Sequence, residues 1–530
     1  MTQLGTGKKM DATLQTTLAA QLPEYLLKQR WFGGKARKIA SVEVVDSLAI
    51  PVASGNAYLF VAVVRYADGG ADESYSIPLL RSEGAGAEGL KVPGPDGGSM
   101  MLADGLKNAA FLTALAELIE TGTAIAGENG ELRGLQTTAY SKLSPVAVAG
   151  LAPKPVGAEQ SNTSIIYGNR LILKFFRRIQ EGINPDLEIG QFLTEKTSLK
   201  SVPPLAGTLE YQARDGKPMA QGMLQKFVPN QGDAWEFTLK SLANYYDEVR
   251  KTPSTAVNAE TPLVAPEAEA GGVPDRANSS IETYLSAAEL LGQRTAEMHL
   301  ALASDASDPA FAPEPFTMDS QQALEQSVSG LLVRVFSLLR DKMKYLPSEW
   351  RGKAEKLAER ESEIAARFNT ALREPIRAMR TRIHGDYHLG QVLRTENDFV
   401  IIDFEGEPAR SIEERRVKRS PLQDVAGMLR SFHYAAFAPL LGEDRVHGED
   451  VARMSAYAEG WNSEVSERYL AKYFETASGA SYLPTTQTEI KTVLELHLLE
   501  KAIYELGYEL NNRPAWVGIP LQGISKLLSM

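Results

Sequence analysis

The segment TRIHGDYHLGQVLRTENDFVIIDFEGEP, residues 381–408, constrains this chain more than any other. Gln391, Val392 and Leu393 enter a short apolar element, residues 394–398 read as a polar turn, and residues 399–404 (FVIIDF) read as a strand. An antiparallel hairpin of this kind returns Asp403 to the end where Asp386 and Gln391 begin. Two carboxylates brought together cost Coulomb energy unless cations or hydrogen bonds compensate. Magnesium offsets that cost: it takes hard oxygen ligands, one or two side chains plus substrate phosphates. Asp403 suits direct binding of the ion, and Gln391 offers an amide oxygen as a second ligand. Asp386, on the preceding loop, is placed to orient an attacking hydroxyl and accept its proton. The competing reading is a pair of solvated or structural aspartates.

A second signal lies upstream in GAEQSNTSIIYGNRLILKFFRR, residues 157–178. Gly168 and Asn169 are a tight-turn pair joining two apolar strands. In the second strand Lys174 shares a face with Ile172, while Leu171, Leu173 and Phe175 take the other. A lysine in so apolar a strand needs a partner, and nucleotide phosphates supply one. Ser161, Asn162, Thr163 and Ser164 belong to a polar loop, 160–164, whose backbone donors would cover those phosphates. Glu188 follows in NPDLEIGQFL, a helix start with proline and acidic residues in its first turn. It is the expected ion-pair partner of Lys174, against the alternative of an ordinary surface pair.

The remainder of the chain must supply a frame for these segments. Its 530 residues exceed one ordinary domain, so at least two folding units are expected. With 43% hydrophobic residues and 23% charged, global disorder is excluded. A net charge of −11 disfavours a basic nucleic-acid surface. The absence of cysteine removes disulfides, thiolate metal sites and cysteine nucleophiles. The N-terminus has no apolar core of signal-peptide length, and AYLFVAVV, 57–64, is too short to span a membrane and reads as a buried strand. A cytoplasmic protein is expected. Leu14, Leu18 and Leu22 predict an amphipathic helix over 11–30, followed by strands within 39–80, a helix over 101–121 and a return to the sheet in 131–145. Residues 250–280, rich in proline, glycine and small polar residues, read as a long insertion. Residues 281–304, 320–378, 421–439, 450–475 and 485–510 read as helices.

On these residues the chain resembles the maltokinases, a branch of the aminoglycoside-phosphotransferase-like enzymes. HGDYHLGQ (384–391) is similar to the catalytic loop, and DFEGEPARSIEERRVKRSPLQDVAGMLRSFHYAA (403–436) to its continuation. RWFGGKARKI (30–39) is similar to the N-terminal signature, and KAIYELGYELNNRPAWVGIPLQGI (501–524) to the C-terminal end. The resemblance implies an α+β, bilobal, protein-kinase-like fold with an additional N-terminal α/β cap. The implied divisions are a cap over 1–145, a nucleotide-binding lobe over 146–235 and a mainly helical catalytic and acceptor lobe over 236–530, with the nucleotide between the last two. It further implies Asp386 as catalytic base, Gln391 and Asp403 as magnesium ligands, and Lys174 and Glu188 as the phosphate anchor and its partner. The stretch 223–231 would contact adenine. ATP and Mg2+ would be used to phosphorylate maltose at its anomeric hydroxyl, feeding α-glucan (glycogen) synthesis from trehalose. Glucosamine or another sugar is the alternative acceptor, and an inactive kinase-like scaffold the alternative without turnover. No nucleic acid or membrane partner is implied; a monomer is expected, associating with trehalose-converting enzymes.

Other motifs carry less. His384 and His388 are four apart, but Gly385 and Asp386 break the HExxH pattern, so a role supporting the loop is favoured over zinc. There is no GxxxxGK[ST] P-loop and no GxSxG elbow. Arg415, Arg416, Lys418 and Arg419 read as a solvated loop, and Asp424 as a cap of the helix after Pro421. Tyr504, Tyr508, Asn511, Asn512, Arg513 and Trp516 offer acceptor-binding chemistry, with core packing the alternative for the aromatic rings.

Overall fold

The computed structural model describes residues 12–52, 55–82, 89–93, 98–156, 162–214, 216–251, 278–441 and 450–529. The chain divides into two compact units. The first comprises residues 1–198, 202–229 and 408–416; the second comprises 199–201, 230–407 and 417–530. Most of the long insertion predicted at 250–280 lies outside the described residues.

The first unit opens with helix Ala12–Lys28, which buries Leu18, Leu22 and Leu26 against a six-stranded sheet. That sheet runs Ile39–Val52, Gly55–Tyr66, Glu73–Ser82, Ser99–Asp104, Leu90–Pro93, all antiparallel, and Arg178–Ile179 pairs with Glu73–Ser82. The predicted helix over 101–121 is shorter than expected. Residues Ser99–Asp104 are a strand, and the helix is Ala109–Thr121, capped by the Asn108 side chain on the Phe111 amide. A second, seven-stranded antiparallel sheet follows the order Ala124–Ala126, Gly130–Gln136, Leu205–Ala213, Pro218–Lys226, Leu171–Phe176, Asn162–Tyr167, Pro153–Pro155. The division expected at 145/146 therefore runs through one hydrogen-bonded sheet. One apolar cluster continues across it, from Leu48, Leu59 and Phe111 to Leu173, Leu205 and Leu224.

The second unit is helical apart from short strand pairs. Its centre is helix Leu422–Leu441, apolar on nearly every face and buried along its length, as a helix must be when neighbours surround it. Helices Asp450–Thr476 and Gln487–Asn512 pack on it, and Asn278–Leu302 packs on Asp450–Thr476. Helices Met318–Lys342, Ser348–Ala358 and Glu361–Arg373 fill the span predicted as helical over 320–378. No described helix is long and apolar enough to cross a membrane.

Candidate active site

Each unit carries part of the predicted chemistry. In the first, Gly168 and Asn169 both adopt positive φ, 53° and 54°, which closes the predicted tight turn. Strand Leu171–Phe176 then alternates as expected: Leu171, Leu173 and Phe175 are fully buried, while Ile172 and Lys174 face outward and stay partly exposed. The Lys174 ammonium lies 3.2 Å from Asp186 Oδ2, and the Asp186 side chain is only 2% exposed. Asp186 sits in the first turn of helix Pro185–Lys196, where the Asn184 side chain caps its amide at 2.8 Å. Glu188, two residues further in the same first turn, accepts two bonds from the Arg416 guanidinium at 2.9 and 2.6 Å. That pairing raises the Arg416 pKa. Asp186, two residues before the Glu188 selected from the sequence, is a partner of Lys174 that the sequence reading did not name.

The polar loop expected at 160–164 is strand from Asn162 onward. Asn162, Thr163 and Ser164 pair with Phe176, Phe175 and Lys174, so this segment belongs to the ladder rather than to a free loop. Thr163 Oγ1 accepts from Arg177 Nε at 3.1 Å, and Arg177 in turn pairs with Asp104 at 2.6 Å. Ser161 lies outside the described residues.

In the second unit, the predicted hairpin is present. Val392–Arg394 pairs with Phe399–Ile401, and the Ile402 amide donates to Gln391 O at 3.0 Å, bringing Asp403 back beside Gln391. The second strand is shorter than predicted because the backbone leaves it at Asp403, whose φ is +69°. Aspartate tolerates this left-handed turn better than most residues. Asp403 and Glu405 each bring a carboxylate oxygen within 4.8 Å of the other. Carboxylate oxygens are hard donors of the kind a magnesium ion takes. Glu405 was not anticipated.

The loop carrying Asp386 is held from behind. Buried Asp424 accepts from the His384 amide at 2.7 Å and the Gly385 amide at 2.9 Å, and lies 3.1 Å from His299 Nε2. Burial alone would raise the Asp424 pKa; His299, His384 and the loop amide outweigh it and hold the carboxyl below its usual range. Asp424 thus anchors the loop rather than capping its own helix. Gly385 takes φ +86°, a turn that suits glycine. His384 Nε2 donates to Ile402 O at 2.9 Å, tying loop to hairpin, and His388 Nδ1 accepts from the Gly390 amide at 3.0 Å. Both imidazoles thus serve the loop backbone. Burial lowers the His388 pKa, with Asp386 opposing the shift.

One basic group reaches Asp386 that the sequence reading missed. Lys501 Nζ, from helix Gln487–Asn512, lies 3.3 Å from Asp386 Oδ1 and 3.4 Å from Glu407 Oε1. A signal existed: Lys501 is a charge set between Leu498, Leu499 and Ala502, Ile503, which demands a partner. Of the aromatic residues proposed for the acceptor, Tyr504 joins this group, its ring centroid 4.8 Å from Lys501 Nζ. Tyr508 and Trp516 instead flank Arg513, at 5.3 and 4.7 Å, while Asn511 accepts from Lys342 at 2.9 Å. The Asn512 side chain donates to Tyr508 O at 2.9 Å, closing on its own helix. The basic run is not a solvated loop. Arg415 bonds Gln180, Arg416 bonds Glu188, and buried Lys418 donates to Pro309 O and Glu314 at 2.7 Å each.

Two family descriptions match the chain. Residues 25–101 match the maltokinase N-terminal cap domain, and residues 258–461 match the phosphotransferase enzyme family. A glucosamine kinase of Streptacidiphilus jiangxiensis is 23% identical over 470 residues, 88% of each chain. One from Mycolicibacterium smegmatis (strain ATCC 700084 / mc(2)155) is 25% identical over 308 residues, 56% of this chain and 62% of that protein. Among solved structures, a glucosamine kinase (crystal form B) superposes with a TM-score of 0.62 at 19% identity, covering 97% of this chain and 99% of that one. A glucosamine kinase in complex with glucosamine, ADP and inorganic phosphate gives 0.60 at 18% identity, covering 98% and 100%. At such identities the structural likeness is one of fold: a kinase-like α+β fold with an N-terminal cap.

Proposed function

Because the chain carries a maltokinase N-terminal cap domain and a region of the phosphotransferase enzyme family, we propose that it is an ATP-dependent sugar kinase that phosphorylates maltose at the anomeric hydroxyl. The observation that carries the kinase reading is the anchored loop and hairpin, which set Asp386 on a fixed loop and return Asp403 to Gln391. The match of residues 25–101 to a maltokinase cap supports maltose as the acceptor. Glucosamine is the second reading, supported by the likeness to the two glucosamine kinases described above.

In this reading Asp386 receives the sugar hydroxyl and takes its proton as the oxygen turns nucleophilic. Lys174, oriented by Asp186, meets the phosphates of ATP as a point charge. Glu188, held by Arg416, keeps the first turn of helix Pro185–Lys196 in place. Asn162, Thr163 and Ser164, with Ser161, remain the proposed phosphate-covering segment, now as a strand end. Asp403, Glu405 and Gln391 would hold magnesium, which when bound neutralises phosphate charge. The products are maltose 1-phosphate and ADP, and the phosphorylated disaccharide is the unit an α-glucan-forming reaction consumes.

Incubation with MgATP and maltose, followed by the mass of the product and ADP release, tests the proposal. Turnover with glucosamine alone selects the second reading. Nucleotide binding without turnover of either sugar contradicts both. Asp386→Asn should retain nucleotide binding while lowering turnover by about 10²-fold or more. Asp403→Asn should weaken magnesium-dependent nucleotide binding as well.

A further inference from the structure

The two carboxylates of the reading above sit on separate pieces of chain, Asp386 on a loop and Asp403 at the end of a hairpin. Phosphoryl transfer needs them at one separation. The hairpin cannot hold its own place. Its strands, Val392–Arg394 and Phe399–Ile401, are three residues each, and a lone two-stranded hairpin is marginal in water. Backbone bonds hold its edges: the Gln231 amide donates to Arg394 O at 2.7 Å, the Arg394 amide to Gly232 O at 2.9 Å and the Ile401 amide to Ser201 O at 2.7 Å. A side chain holds its turn end. Arg294 Nε and Nη2 donate to Asp398 Oδ1 and Oδ2 at 2.7 and 3.0 Å, across 104 positions of chain. An isolated surface pair contributes little. This one is bidentate, and Glu297 takes the remaining Nη1 of the guanidinium at 2.9 and 2.7 Å. Asp398 also knots the turn. Its carboxylate accepts from the Phe399 amide at 2.7 Å, and its carbonyl accepts from the Thr395 amide at 2.9 Å and from Arg394 Nη1 at 3.1 Å.

The next residue of the same helix, Asn278–Leu302, reaches the other piece. Thr295 is buried, and its hydroxyl donates to Leu291 O at 2.8 Å. In its 3.0 Å contact with buried Tyr387 the phenol is therefore the donor. Tyr387 directly follows Asp386 in the chain. Adjacent residues of one helix thus hold the turn end of the metal hairpin and the loop that carries the base. From Asp398 to Asp403 a strand covers about 15 Å, so a tilt of about 4° at the turn displaces the metal end by about 1 Å. A misplacement of about 1 Å costs about 10²-fold in rate. We propose that Arg294 and Thr295 are positioning residues, which register the hairpin of Asp403 and the loop of Asp386 against one helix and so set the distance between base and metal. The inference deepens the kinase reading and rests on Asp386 and Asp403 having the roles given above.

The test compares the full chain with Arg294→Met, Arg294→Lys, Asp398→Asn and Thr295→Val. Calorimetry gives the affinity for ADP in Mg2+ and in EDTA, and kinetics give kcat and the KM for ATP. Arg294→Met should weaken ADP binding about tenfold in Mg2+ and leave it unchanged in EDTA, with kcat lowered as well. Arg294→Lys keeps the charge but not the fork, and should recover part of that loss. Asp398→Asn keeps an acceptor for the Phe399 amide and removes the charge. It should repeat the Arg294→Met pattern, and the double variant should be no worse than either single one. Thr295→Val keeps the branched shape and removes the hydroxyl. Its kcat should fall about tenfold, with the KM for ATP and the affinity for ADP unchanged. Losses of ADP affinity that are equal in Mg2+ and EDTA, additive losses in the double variant, or an unchanged kcat in Thr295→Val would overturn the inference. Asp398 is the more exposed member of its pair, so Asp398→Asn carries the comparison where Arg294→Met does not fold. Failure of the kinase reading shows separately, in a wild-type chain that turns over no sugar; the ADP measurements still decide the role of Arg294.

Discussion

Asp424 and His433 stand nine residues apart on the same buried helix and show opposite ways for a protein interior to treat an ionisable group. Asp424 is charged and satisfied: two loop amides and His299 surround it. Asp424→Asn replaces one acceptor oxygen with an amino group that faces donors. Leaving a buried donor without its acceptor costs about 1–3 kcal/mol. We expect a lower melting temperature and slower turnover, with nucleotide affinity little changed because the disturbed loop is the one bearing Asp386. Unchanged kcat would separate the anchor from the chemistry. The depressed Asp424 pKa gives stability that is present above the unfolded value of about 3.8 and is lost as pH falls through the folded one. His433 is the reverse case. Both its ring nitrogens lack a hydrogen-bond partner among the described residues, and burial with Arg430 and Lys526 nearby holds its pKa well below 6.5. The native state therefore keeps His433 neutral, while the unfolded chain binds a proton below that pH. Stability from this source is full above pH 6.5 and declines as pH falls beneath it. His433→Leu should shrink the difference in melting temperature between about pH 7.5 and about pH 5.5. An undiminished difference would assign the pH dependence to other groups.

At the scale of elements, the approach of helix Leu422–Leu441 to the Asp386 loop depends on one missing side chain. A Cβ at Gly427 would lie 2.6 Å from the Tyr387 carbonyl oxygen, a backbone atom that moves only with the loop. Gly427→Ala should push that loop away, lowering both stability and turnover. Gly460, in helix Asp450–Thr476, has nothing within 4 Å of its added Cβ. Gly460→Ala should leave turnover unchanged and add up to about 1 kcal/mol from helix propensity. Equal effects of the two substitutions on melting and rate would refute the packing argument. What could be read from sequence at this scale follows from what is local. The hairpin was legible because a polar turn between two apolar runs fixes its register, and Lys174 because a strand alternates. Its neighbour Asp186 was not, because the rotation of a helix relative to a strand is set by packing. Lys501 was hidden for a related reason: it meets Asp386 across 115 positions of chain. No local pattern encodes that meeting. The left-handed turn at Asp403 likewise shortened a strand that hydrophobicity alone would extend.

For the molecule as a whole, the interdependence of the cap and the nucleotide-binding strands within the first unit matters most. Composition marked a break near residue 146, but chain breaks in loops do not report which strands share hydrogen bonds. Strand Gly130–Gln136 pairs with Leu205–Ala213 along seven positions, from Gly207 with Gln136 to Ala213 with Gly130. Polar ties cross the same division. Asp46 accepts from the Tyr211 hydroxyl at 2.8 Å, and the Tyr167 hydroxyl donates to Leu112 O at 2.7 Å. Arg177, buried and bonded to Thr163 on the candidate phosphate-binding strand, takes Asp104 from the other sheet and stacks 4.7 Å from the Trp31 ring. Removal of residues 1–145 would strip Leu205–Ala213 of one of its two partner strands, expose an unpaired strand edge and uncover the apolar cluster that Leu48, Leu59 and Phe111 complete. The truncated chain should collect in the insoluble fraction, and any soluble portion should bind ATP more weakly than the full chain. Asp104→Asn tests the same coupling without deletion. It keeps the side chain's shape but removes the charge that Arg177 pairs with, so ATP affinity should fall while the far-UV spectrum stays native. If the truncated chain were as soluble as the full one and bound ATP equally, the nucleotide-binding strands would be complete without the cap. The shared sheet would then be an incidental contact rather than the support of the site.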